Sequence, residues 1–288
     1  MLISNWQDYK IIKASNGQKL EKWNNIKLLR PDPIVMWNIG DILENECDAV
    51  YYRSNTGGGY WKNIKSIPAY WQIKYNDLVF NIKQMGFKHT GLFPEQAVNW
   101  DWMSELISSH KDEELRILNL FAYTGGATVA CAAAGAEVCH VDASKGMVTW
   151  AKENLHTSGL GDKKVRFIVD DVVKFVEREI RRGNKYDAII MDPPSYGRGP
   201  KGEVWQIEEK LYGLVELCTK VLSDEPLFFL INSYTTGLSP IILEHILDAT
   251  VAKKAKGGKI YGGEIGIPTS RDGKVLPCGI FGRWESTK

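Results

Sequence analysis

The sequence predicts an α/β protein: a parallel sheet covered by helices, preceded by a small β domain. Two observations lead to this prediction. After residue 92, strand-like and helix-like segments alternate, as they do in the βαβ units of a parallel sheet. Up to residue 91, short hydrophobic runs are separated by turn residues such as "NGQ" and "RPDP", which is typical of a small β domain. We therefore predict two domains, residues 1–91 and residues 92–288.

The composition is that of a globular protein. The chain has 288 residues, of which 44% are hydrophobic and 25% are charged, enough for one large or two modest domains. It has no apolar run of the ~18 residues that a membrane span needs, and its first residues lack the order of a signal peptide, so we expect a cytoplasmic location. The five cysteines include no C-x-x-C pair, which predicts reduced thiols and no metal site. The sequence leaves the oligomeric state open.

Cations and aromatic residues are concentrated in one part of the predicted β domain. Residues 51–90 contain six Lys or Arg against a single acid, Asp77, with nine aromatic residues among them, although the whole chain has a net charge of only +1. Lysines that coat a small domain with an aromatic core explain most of this pattern. Contact with RNA through lysines such as Lys62 and Lys65 is the second interpretation, because phosphates attract cations and unpaired bases stack on aromatic rings.

The elements of the second domain follow from hydrophobic spacing. Apolar residues recur at helical spacing in the first segment after Pro94, and each predicted strand is a short apolar run bounded by turn or charged residues. In order, the predicted elements are helix "EQAVNWDWMSELISSH", strand "LRILNLFA", helix "ATVACAAAG", strand "EVCHVD", helix "SKGMVTWAKENLHTSG", strand "VRFIVDD", helix "VKFVEREIRRG", strand "YDAIIMD", helix "EEKLYGLVELCTKVL", strand "LFFLIN", helix "PIILEHILDATVAKK", and the closing strands "KIYGGEIGI" and "PCGIFGRW".

Polar residues end four successive strands of this predicted sheet. In an open α/β sheet the ligand lies outside the carboxyl ends of the strands. Each acid alone is explained equally well as a turn or helix-capping residue, but four consecutive polar ends make coincidence a weaker explanation. These ends are Tyr123–Gly126 after the first strand, Asp142 after the second, Asp170 and Asp171 after the third, and Asp192–Pro194 after the fourth.

The loop after the first strand indicates a nucleoside ligand without phosphates. A dinucleotide fold would place G-x-G-x-x-G here so that backbone amides can approach a pyrophosphate, but this loop has only Gly125 and Gly126. Asp142 is well placed for ribose hydroxyls. S-adenosylmethionine meets this description, with its ribose at Asp142, its adenine at the acids after the third strand, and its amino-acid moiety at the glycine loop.

Five segments carry a likeness to a known family: "GLFPEQAVNW", "NLFAYTGG", "VDAS", "RFIVDDV" and "MDPPSYG". Together they resemble the class I methyltransferases related to the ribosomal RNA base methyltransferases of the large subunit. The likeness covers roughly residues 91–288. It implies a Rossmann-like, seven-stranded methyltransferase sheet with an antiparallel last strand, S-adenosylmethionine as methyl donor, and ribosomal or other RNA as acceptor.

The same resemblance assigns residues to the methyl donor. On the residues alone, the first turn of a helix, where an acid suits the helix dipole, is the preferred explanation of Glu95 and Gln96, and only the resemblance assigns them to the donor. The implied donor residues are Phe93, Glu95 and Gln96 beside the methionine end, Asn119, Tyr123, Thr124 and Gly125 under it, Asp142 on the ribose, and Asp170 or Asp171 on the adenine.

The segment after the fourth strand is the predicted acceptor platform, comprising Asp192, Pro193, Pro194 and Tyr196. Two consecutive prolines fix φ and remove two backbone donors, which makes a rigid support for a base; an ordinary strand-exit turn is the alternative. The reference pKa of aspartate, about 3.9, is too low for a good general base, so we predict that Asp192 orients an amino or ring N–H by hydrogen bonding. Tyr196 is predicted to stack on the target base.

The cysteines depart from the pattern of the family members that methylate cytosine C5. That chemistry needs a cysteine nucleophile in the loop after the fourth or fifth strand, and neither loop contains one here. Tyr234 stands about where the cytosine enzymes would have it. We therefore predict that transfer uses no covalent cysteine adduct and that the acceptor atom is nitrogen or oxygen.

Three functions stay open on the sequence. The first is methylation of a base in RNA, which accounts for every polar strand end. The second is methylation of a protein or a small molecule, which the near-neutral net charge favours. The third is a binding module for S-adenosylmethionine without catalysis, against which the intact "DPPSY" argues. Salt dependence of substrate binding separates the first two, because phosphate contacts release counterions.

Overall fold

The computed structural model describes residues 2–3, 6–55, 57–198 and 204–287, which form two compact units. The larger, here called the sheet unit, contains Asn99–Ile265 and the C-terminal segment from Gly279. The smaller, here called the N-terminal unit, contains Ile3–Val98 and Gly266–Cys278. The sequence did not indicate that this later segment belongs with the N-terminal strands.

The strands are distributed over both units, and most of them are short. In chain order, those of the described residues are β1 (Leu2–Ile3), β2 (Tyr9–Ser15), β3 (Gln18–Trp23), β4 (Ile26–Pro31), β5 (Ala49–Arg53), β6 (Gly59–Asn63), β7 (Trp71–Tyr75), β8 (Leu78–Ile82), β9 (Arg116–Leu120), β10 (Glu137–Asp142), β11 (Val165–Val169), β12 (Ala188–Met191), β13 (Tyr196–Arg198), β14 (Val204–Gln206), β15 (Phe228–Ser233), β16 (Lys259–Pro268) and β17 (Val275–Glu285).

The helices alternate with the strands from β9 onward. The α-helices are α1 (Ala97–Ser109), α2 (Gly126–Ala133), α3 (Lys145–Thr157), α4 (Val172–Arg182), α5 (Ile207–Thr219), α6 (Pro240–Leu247) and α7 (Lys253–Ala255). A π-helical turn at Asp248–Ala252 joins α6 to α7, and 3-10 turns are found at Glu44–Glu46 and Pro94–Gln96. Among the described residues, no helix is both long and apolar enough to cross a membrane.

The main sheet confirms the predicted fold class. Its strand order is β1-β16-β17-β15-β12-β9-β10-β11. The five strands from β15 to β11 are mutually parallel, and β17 runs antiparallel to β15, as the resemblance implied. The fold is therefore the expected Rossmann-like α/β sheet with a small N-terminal β domain, and the two residues of β1 add an eighth strand.

Local sequence explains why the central strands and their helices form. Every residue of β12 ("AIIM") and β15 ("FFLINS") is buried, because helices cover both faces of a parallel sheet. Helix α4 begins where the Asp171 carboxylate accepts the Lys174 N–H and ends at Gly183, whose φ of 69° is easy only for glycine. Phe175 of this helix and Phe229 of β15 belong to the core that packs against the sheet.

The N-terminal unit has a five-stranded sheet, β2-β3-β4-β5-β6, and a separate β7-β8 hairpin. Its interior contains an ion pair in which Arg30 donates to both Glu21 carboxylate oxygens at 2.5 and 2.7 Å, and the Tyr9 hydroxyl donates at 2.6 Å. Burial raises the pKa of Glu21, but the charges of Arg30 and Lys19 outweigh it and hold the pKa at about 2. This buried ion pair favours the observed register of β3 and β4, because removing either partner would leave a buried charge uncompensated.

The tip of the β16-β17 hairpin belongs to the same N-terminal unit. The backbone N–H of Ser270 donates to the Ile11 carbonyl at 2.8 Å, and Arg271 pairs with Glu46 at 3.7 Å. These contacts tie Gly266–Cys278 to β2.

Candidate functional site

The polar strand ends meet at one edge of the main sheet. Leu120 of β9 pairs with Val141 of β10 on one side and with Met191 of β12 on the other. The residues that follow these three therefore lie side by side, with the loop after β9 between Asp142 and Asp192. Because β10 and β11 extend the sheet to one side of β9 and β12 and β15 to the other, this edge is the topological switch point where α/β sheets bind ligands.

The loop after β9 is sharply turned. Phe121 and Tyr123 have positive φ values of 53° and 51°, and Gly125 follows with φ of 82°. A Cβ at Gly125 would come within 2.8 Å of the Ala151 Cβ, so this position requires glycine for space as well as for conformation. Two non-glycine residues in the left-handed region cost of order 1–2 kcal/mol each, and such strain concentrates where a backbone must face a ligand.

Asp142 holds this loop in place. One carboxylate oxygen accepts the Tyr123 N–H at 2.9 Å and the other accepts the Ser144 N–H at 2.8 Å. A carboxylate has about four acceptor positions, so each oxygen keeps capacity for another donor. Asp142 is half-buried, and its remaining lone pairs fit a pair of ribose hydroxyls. The chemistry of this residue is therefore compatible with a nucleoside at the β9-β10 edge.

The two acids after β11 have different structural roles. Asp171 caps α4 through the Lys174 N–H at 3.0 Å, which is the helix-capping role considered as an alternative from the sequence. Asp170 accepts the Asp171 N–H at 2.8 Å and pairs with the guanidinium of Arg178. The Asp170 N–H donates to the Asp142 carbonyl at 3.1 Å, so the two strand ends are joined directly.

Thr124 and Asn119 are interior residues of the site. Thr124 is buried, and its carbonyl accepts the Asn154 side-chain amide of α3 at 2.8 Å. Asn119, 3% exposed, donates its side-chain amide to Thr128 Oγ1 at 2.9 Å. Both residues therefore support the loop and the start of α2 from within the protein.

A buried histidine completes this support and was missed from the sequence. His140 Nδ1 lies 2.9 Å from Thr128 Oγ1, and its side chain is fully buried beneath Gly125. Among the described residues, its Nε2 has no hydrogen-bond partner. Burial lowers the pKa of His140 to about 3, so the imidazole is neutral at pH 7. The only sequence signal was a histidine in the middle of an otherwise apolar strand.

Lowering the pH is expected to destabilise the sheet unit through His140. An unfolded histidine titrates near pH 6.5, so between pH 6.5 and about 3 the unfolded chain binds a proton that the folded protein excludes. The stabilising contribution is therefore complete above pH 6.5 and decreases below it by up to ~1.4 kcal/mol per pH unit. Urea unfolding measures the free energy of unfolding at pH 7 and at pH 5. The decrease between the two pH values should be about 2 kcal/mol smaller in His140→Gln than in the wild type.

The matched control for this measurement is His156→Gln. His156 is an exposed residue near the end of α3, so this variant should lose as much stability between pH 7 and pH 5 as the wild type does. An equal acid loss in wild type and His140→Gln would show that His140 is not the titrating group.

The platform after β12 is clamped from two sides. The Trp205 indole N–H donates to the Pro194 carbonyl at 2.6 Å, and the Thr235 hydroxyl after β15 donates to Ser195 Oγ at 2.6 Å. Asp192 itself is half-buried and Pro193 is buried. The platform is thus fixed in position relative to the end of β15, in addition to the stiffness of its prolines.

A short hairpin follows the platform and was not predicted. Strands β13 and β14 pair antiparallel, and the Trp205 ring lies 5.8 Å from that of Phe121 in the loop after β9. The hairpin therefore joins the segment after β12 to the loop after β9. Tyr196 is 50% exposed, and Arg198 Nε donates to its hydroxyl at 2.8 Å. An exposed ring beside a cation is suited to stacking on a base next to a phosphate.

Phe93, Glu95 and Gln96 belong to the N-terminal unit. Glu95 and Gln96 lie in the buried 3-10 turn Pro94–Gln96, which leads into α1. The Phe93 ring lies 5.4 Å from that of His89, and the Trp6 indole donates to the Pro94 carbonyl at 2.8 Å. This position at the start of a helix agrees with the explanation of Glu95 and Gln96 as residues of a first helical turn. The assignment of all three residues to the methyl donor stays a prediction.

The environments of the cysteines make them poor nucleophiles. Cys47, Cys131, Cys139 and Cys218 are buried, and Cys278 is half-buried in the N-terminal unit. Burial raises the thiol pKa of all five, that of Cys47 to about 11, so little thiolate forms at neutral pH. Within the described ranges, no group of three or more His, Cys, Asp or Glu side chains could hold a metal ion.

Single Cys→Ser variants at all five positions are therefore expected to keep methyl transfer within a few-fold of the wild type. The measurement is incorporation of label from S-adenosylmethionine, with donor affinity as the check on folding. A folded variant that binds the donor normally but is inactive, together with a wild type that is trapped by a 5-fluorocytosine substrate, would contradict this expectation.

Comparison with known proteins finds both a family and a similar structure. The profile of the S-adenosylmethionine-dependent methyltransferases matches residues 50–245. Among solved structures, the chain is similar to the SAM-dependent methyltransferase from Agrobacterium tumefaciens, with 34% identity and a TM-score of 0.89. The match covers 98% of this chain and 91% of that one.

Two curated relatives match the chain over a shorter range. The ribosomal RNA large subunit methyltransferase K/L of Shewanella frigidimarina is 33% identical over 144 residues, which are 48% of this chain and 19% of that protein. The ribosomal RNA large subunit methyltransferase K of Neisseria meningitidis serogroup B is 31% identical over 143 residues, 49% of this chain and 40% of that protein. The chain thus matches less than half the length of either relative.

Proposed function

The chain belongs to the S-adenosylmethionine-dependent methyltransferase family, and from this premise we propose that it methylates a base in RNA. The observation that carries the proposal is the clamped platform Asp192–Tyr196 at the switch point of the sheet, with its exposed aromatic ring. The names of the curated relatives, which methylate ribosomal RNA of the large subunit, support an RNA acceptor. A cytoplasmic location is part of the proposal.

The proposed donor site lies on the β9-β10 side of the switch point. S-adenosylmethionine supplies an electrophilic methyl group on a sulfonium when it is bound. In the proposal, the remaining lone pairs of Asp142 accept the ribose hydroxyls, and Asp170 or Asp171 accepts the adenine amino group. The backbone of Tyr123–Gly125, supported by Asn119, faces the methionine end. Phe93, Glu95 and Gln96 of the N-terminal unit stay donor residues only as the family resemblance implies.

The proposed acceptor site lies on the β12 side. Methyl transfer from a sulfonium needs little acid-base help when the acceptor is held in line, so positioning supplies most of the rate. In the proposal, Asp192 accepts a hydrogen bond from an amino or ring N–H and so aims the neighbouring nitrogen. Pro193 and Pro194 keep this carboxylate in place, and Tyr196 stacks on the base.

The direct test incubates the protein with methyl-labelled S-adenosylmethionine and, separately, with cell RNA, cell protein and a small-molecule extract. We expect label in the RNA sample, and we expect nuclease digestion followed by nucleoside mass analysis to show a base methylated on nitrogen or oxygen. Transfer should weaken steeply as salt rises, because an RNA acceptor releases counterions when it binds.

Each other outcome selects one of the alternatives. Label in protein or in the small-molecule extract would overturn the RNA acceptor but keep the methyltransferase. Normal binding of S-adenosylmethionine in calorimetry with no transfer to any sample would favour a binding module without catalysis.

A further inference from the structure

Four of the six cations in residues 51–90, here called the basic aromatic stretch, fall into two groups around the β5-β6 pair. The other two, Lys74 and Lys83, belong to the β7-β8 region. On one face of the β5-β6 pair, Lys62 is bound to Glu44 at 2.6 Å, and two residues beyond β6 Lys65 is bound to Asp48 at 2.6 Å. Both acids lie outside residues 51–90, so a count of charges in that stretch could not include them. The two lysines that the sequence suggested for RNA are therefore each already paired with a carboxylate of the N-terminal unit.

The opposite face of β5-β6 carries a different set. Tyr51 and Trp61 are cross-strand partners on this face, and they donate to the carbonyls of Gly86 at 3.4 Å and Met85 at 2.9 Å. The segment around Gly86 therefore packs here. Arg53, two residues after Tyr51 on the same strand, points to this same face because side chains alternate along a strand.

Three side chains are brought together by this packing: Arg53, Phe87 and Lys88, here called the cationic face. Arg53 pairs in register with Gly59, and a Cβ on the preceding Gly58 would lie 3.8 Å from the Phe87 ring. Phe87 is 61% exposed, although exposure of so large an apolar ring is unfavourable in water. In the part of the chain that the structure describes, neither Arg53 nor the Lys88 ammonium has a carboxylate within ion-pair distance.

Lys88 lies among three other cations and one acid. Burial lowers the pKa of Lys88; Asp32 raises it, and the nearby Lys19, Arg30 and Arg53 lower it further. Asp32 is already paired with Lys19 at 3.1 Å, and Arg30 with Glu21. Arg53 and Lys88 are thus two neighbouring cations without an ion-pair partner among the described residues, and an anion placed between them would be attracted by both.

We propose that the cationic face binds the acceptor RNA as a single strand, with phosphates on Arg53 and Lys88 and one unpaired base on the Phe87 ring. The inference rests on the proposed function, because it assumes an RNA acceptor. An exposed aromatic ring beside unpaired cations is the arrangement with which proteins hold single strands without reading their sequence. In this proposal the N-terminal unit contributes affinity for RNA without reading its sequence.

The test measures binding of a fluorescein-labelled single-stranded oligoribonucleotide by anisotropy at several salt concentrations. In R53A/K88A, the slope of log affinity against log salt should fall by about 1.4, because each phosphate contact on a single strand contributes about 0.7. Affinity at 0.1 M salt should fall about tenfold. Phe87→Ala should weaken binding about tenfold with no change in slope, because a stacked base carries no counterion.

The matched control is K62A/K65A, which changes the net charge by the same amount. Its slope should equal that of the wild type, since both lysines are already paired. The charge-conserving R53K/K88R should also keep the slope. Unchanged S-adenosylmethionine affinity in calorimetry would show that each variant is folded.

Equal slopes in R53A/K88A and the wild type, or an equal fall in both double variants, would overturn the inference. If label still enters RNA in that case, the proposed function stands and RNA binds elsewhere. If the wild type neither binds nor labels RNA, the proposed function and the inference both fail.

Discussion

Replacing Asp192 with alanine is expected to reduce methyl transfer by on the order of 10²- to 10³-fold while leaving the affinity for S-adenosylmethionine within about threefold of the wild type. Asp192 follows β12, on the opposite side of β9 from Asp142, where we propose that the acceptor binds. Without this carboxylate the acceptor nitrogen is no longer held in line with the methyl group of the donor. A misplacement of ~1 Å lowers the rate about 10²-fold. Single-turnover transfer to the identified RNA and calorimetry with the donor measure the two effects separately.

Two variants calibrate this result. Asp192→Asn keeps the size and one acceptor oxygen, so it should retain more activity than Asp192→Ala. Asp224→Ala removes an acid whose side chain is 97% exposed, and it should leave both transfer and binding unchanged. A parallel loss of donor affinity and transfer in Asp192→Ala would place Asp192 in the donor pocket or in the structural framework instead.

The α/β fold was predictable because its signals are local and repeated. Strand β12 is a fully apolar run and β15 begins with four apolar residues, and the helices between strands have their own start and stop residues, such as Asp171 and Gly183 around α4. Alternation of such segments leaves few topologies, since parallel crossovers are right-handed and sequential elements are usually neighbours.

What escaped prediction depends on contacts between distant residues. The strands β13 and β14 have three residues each and no apolar alternation, and their pairing is held by tertiary contacts such as the bond between Trp205 and Pro194. The attachment of Gly266–Cys278 to β2 arises from backbone bonds to Ile11, which no composition shift reveals. Short elements that depend on tertiary contacts have little local signature.

The candidate site was predictable in outline and not in detail. The polar strand ends lie together because parallel strands end at one edge, which the alternation alone predicts. The helix-capping role of Asp171 was one of the two explanations that the sequence offered. The other partners were not foreseeable: Asp142 binds two backbone amides, and Asn119 bonds to Thr128. The ion pair of Lys62 could not be predicted either, because its partner Glu44 lies outside residues 51–90.

Replacing Asp142 with alanine is the second change with a large expected effect: a loss of about 10²-fold in affinity for S-adenosylmethionine. The carboxylate would lose its hydrogen bonds to the ribose, each contributing about 1.5–3 kcal/mol for a charged acceptor, and ~1.4 kcal/mol corresponds to tenfold in affinity. It would also release the Tyr123 and Ser144 amides, so the strained loop after β9 would lose its anchor. Calorimetry with the donor measures the affinity, and thermal unfolding checks that the sheet unit stays folded.

Glu137→Ala provides the matched control, because Glu137 begins the same strand that Asp142 ends and its carboxylate pairs with Lys164 at the opposite edge of the sheet. This variant should bind S-adenosylmethionine as the wild type does. Asp142→Asn should give an intermediate loss, since its one carbonyl oxygen can serve one of the two amides while its NH₂ group repels the other. Donor affinity that is unchanged in a folded Asp142→Ala variant would remove Asp142 from the proposed ribose site and leave it as an anchor of the loop alone.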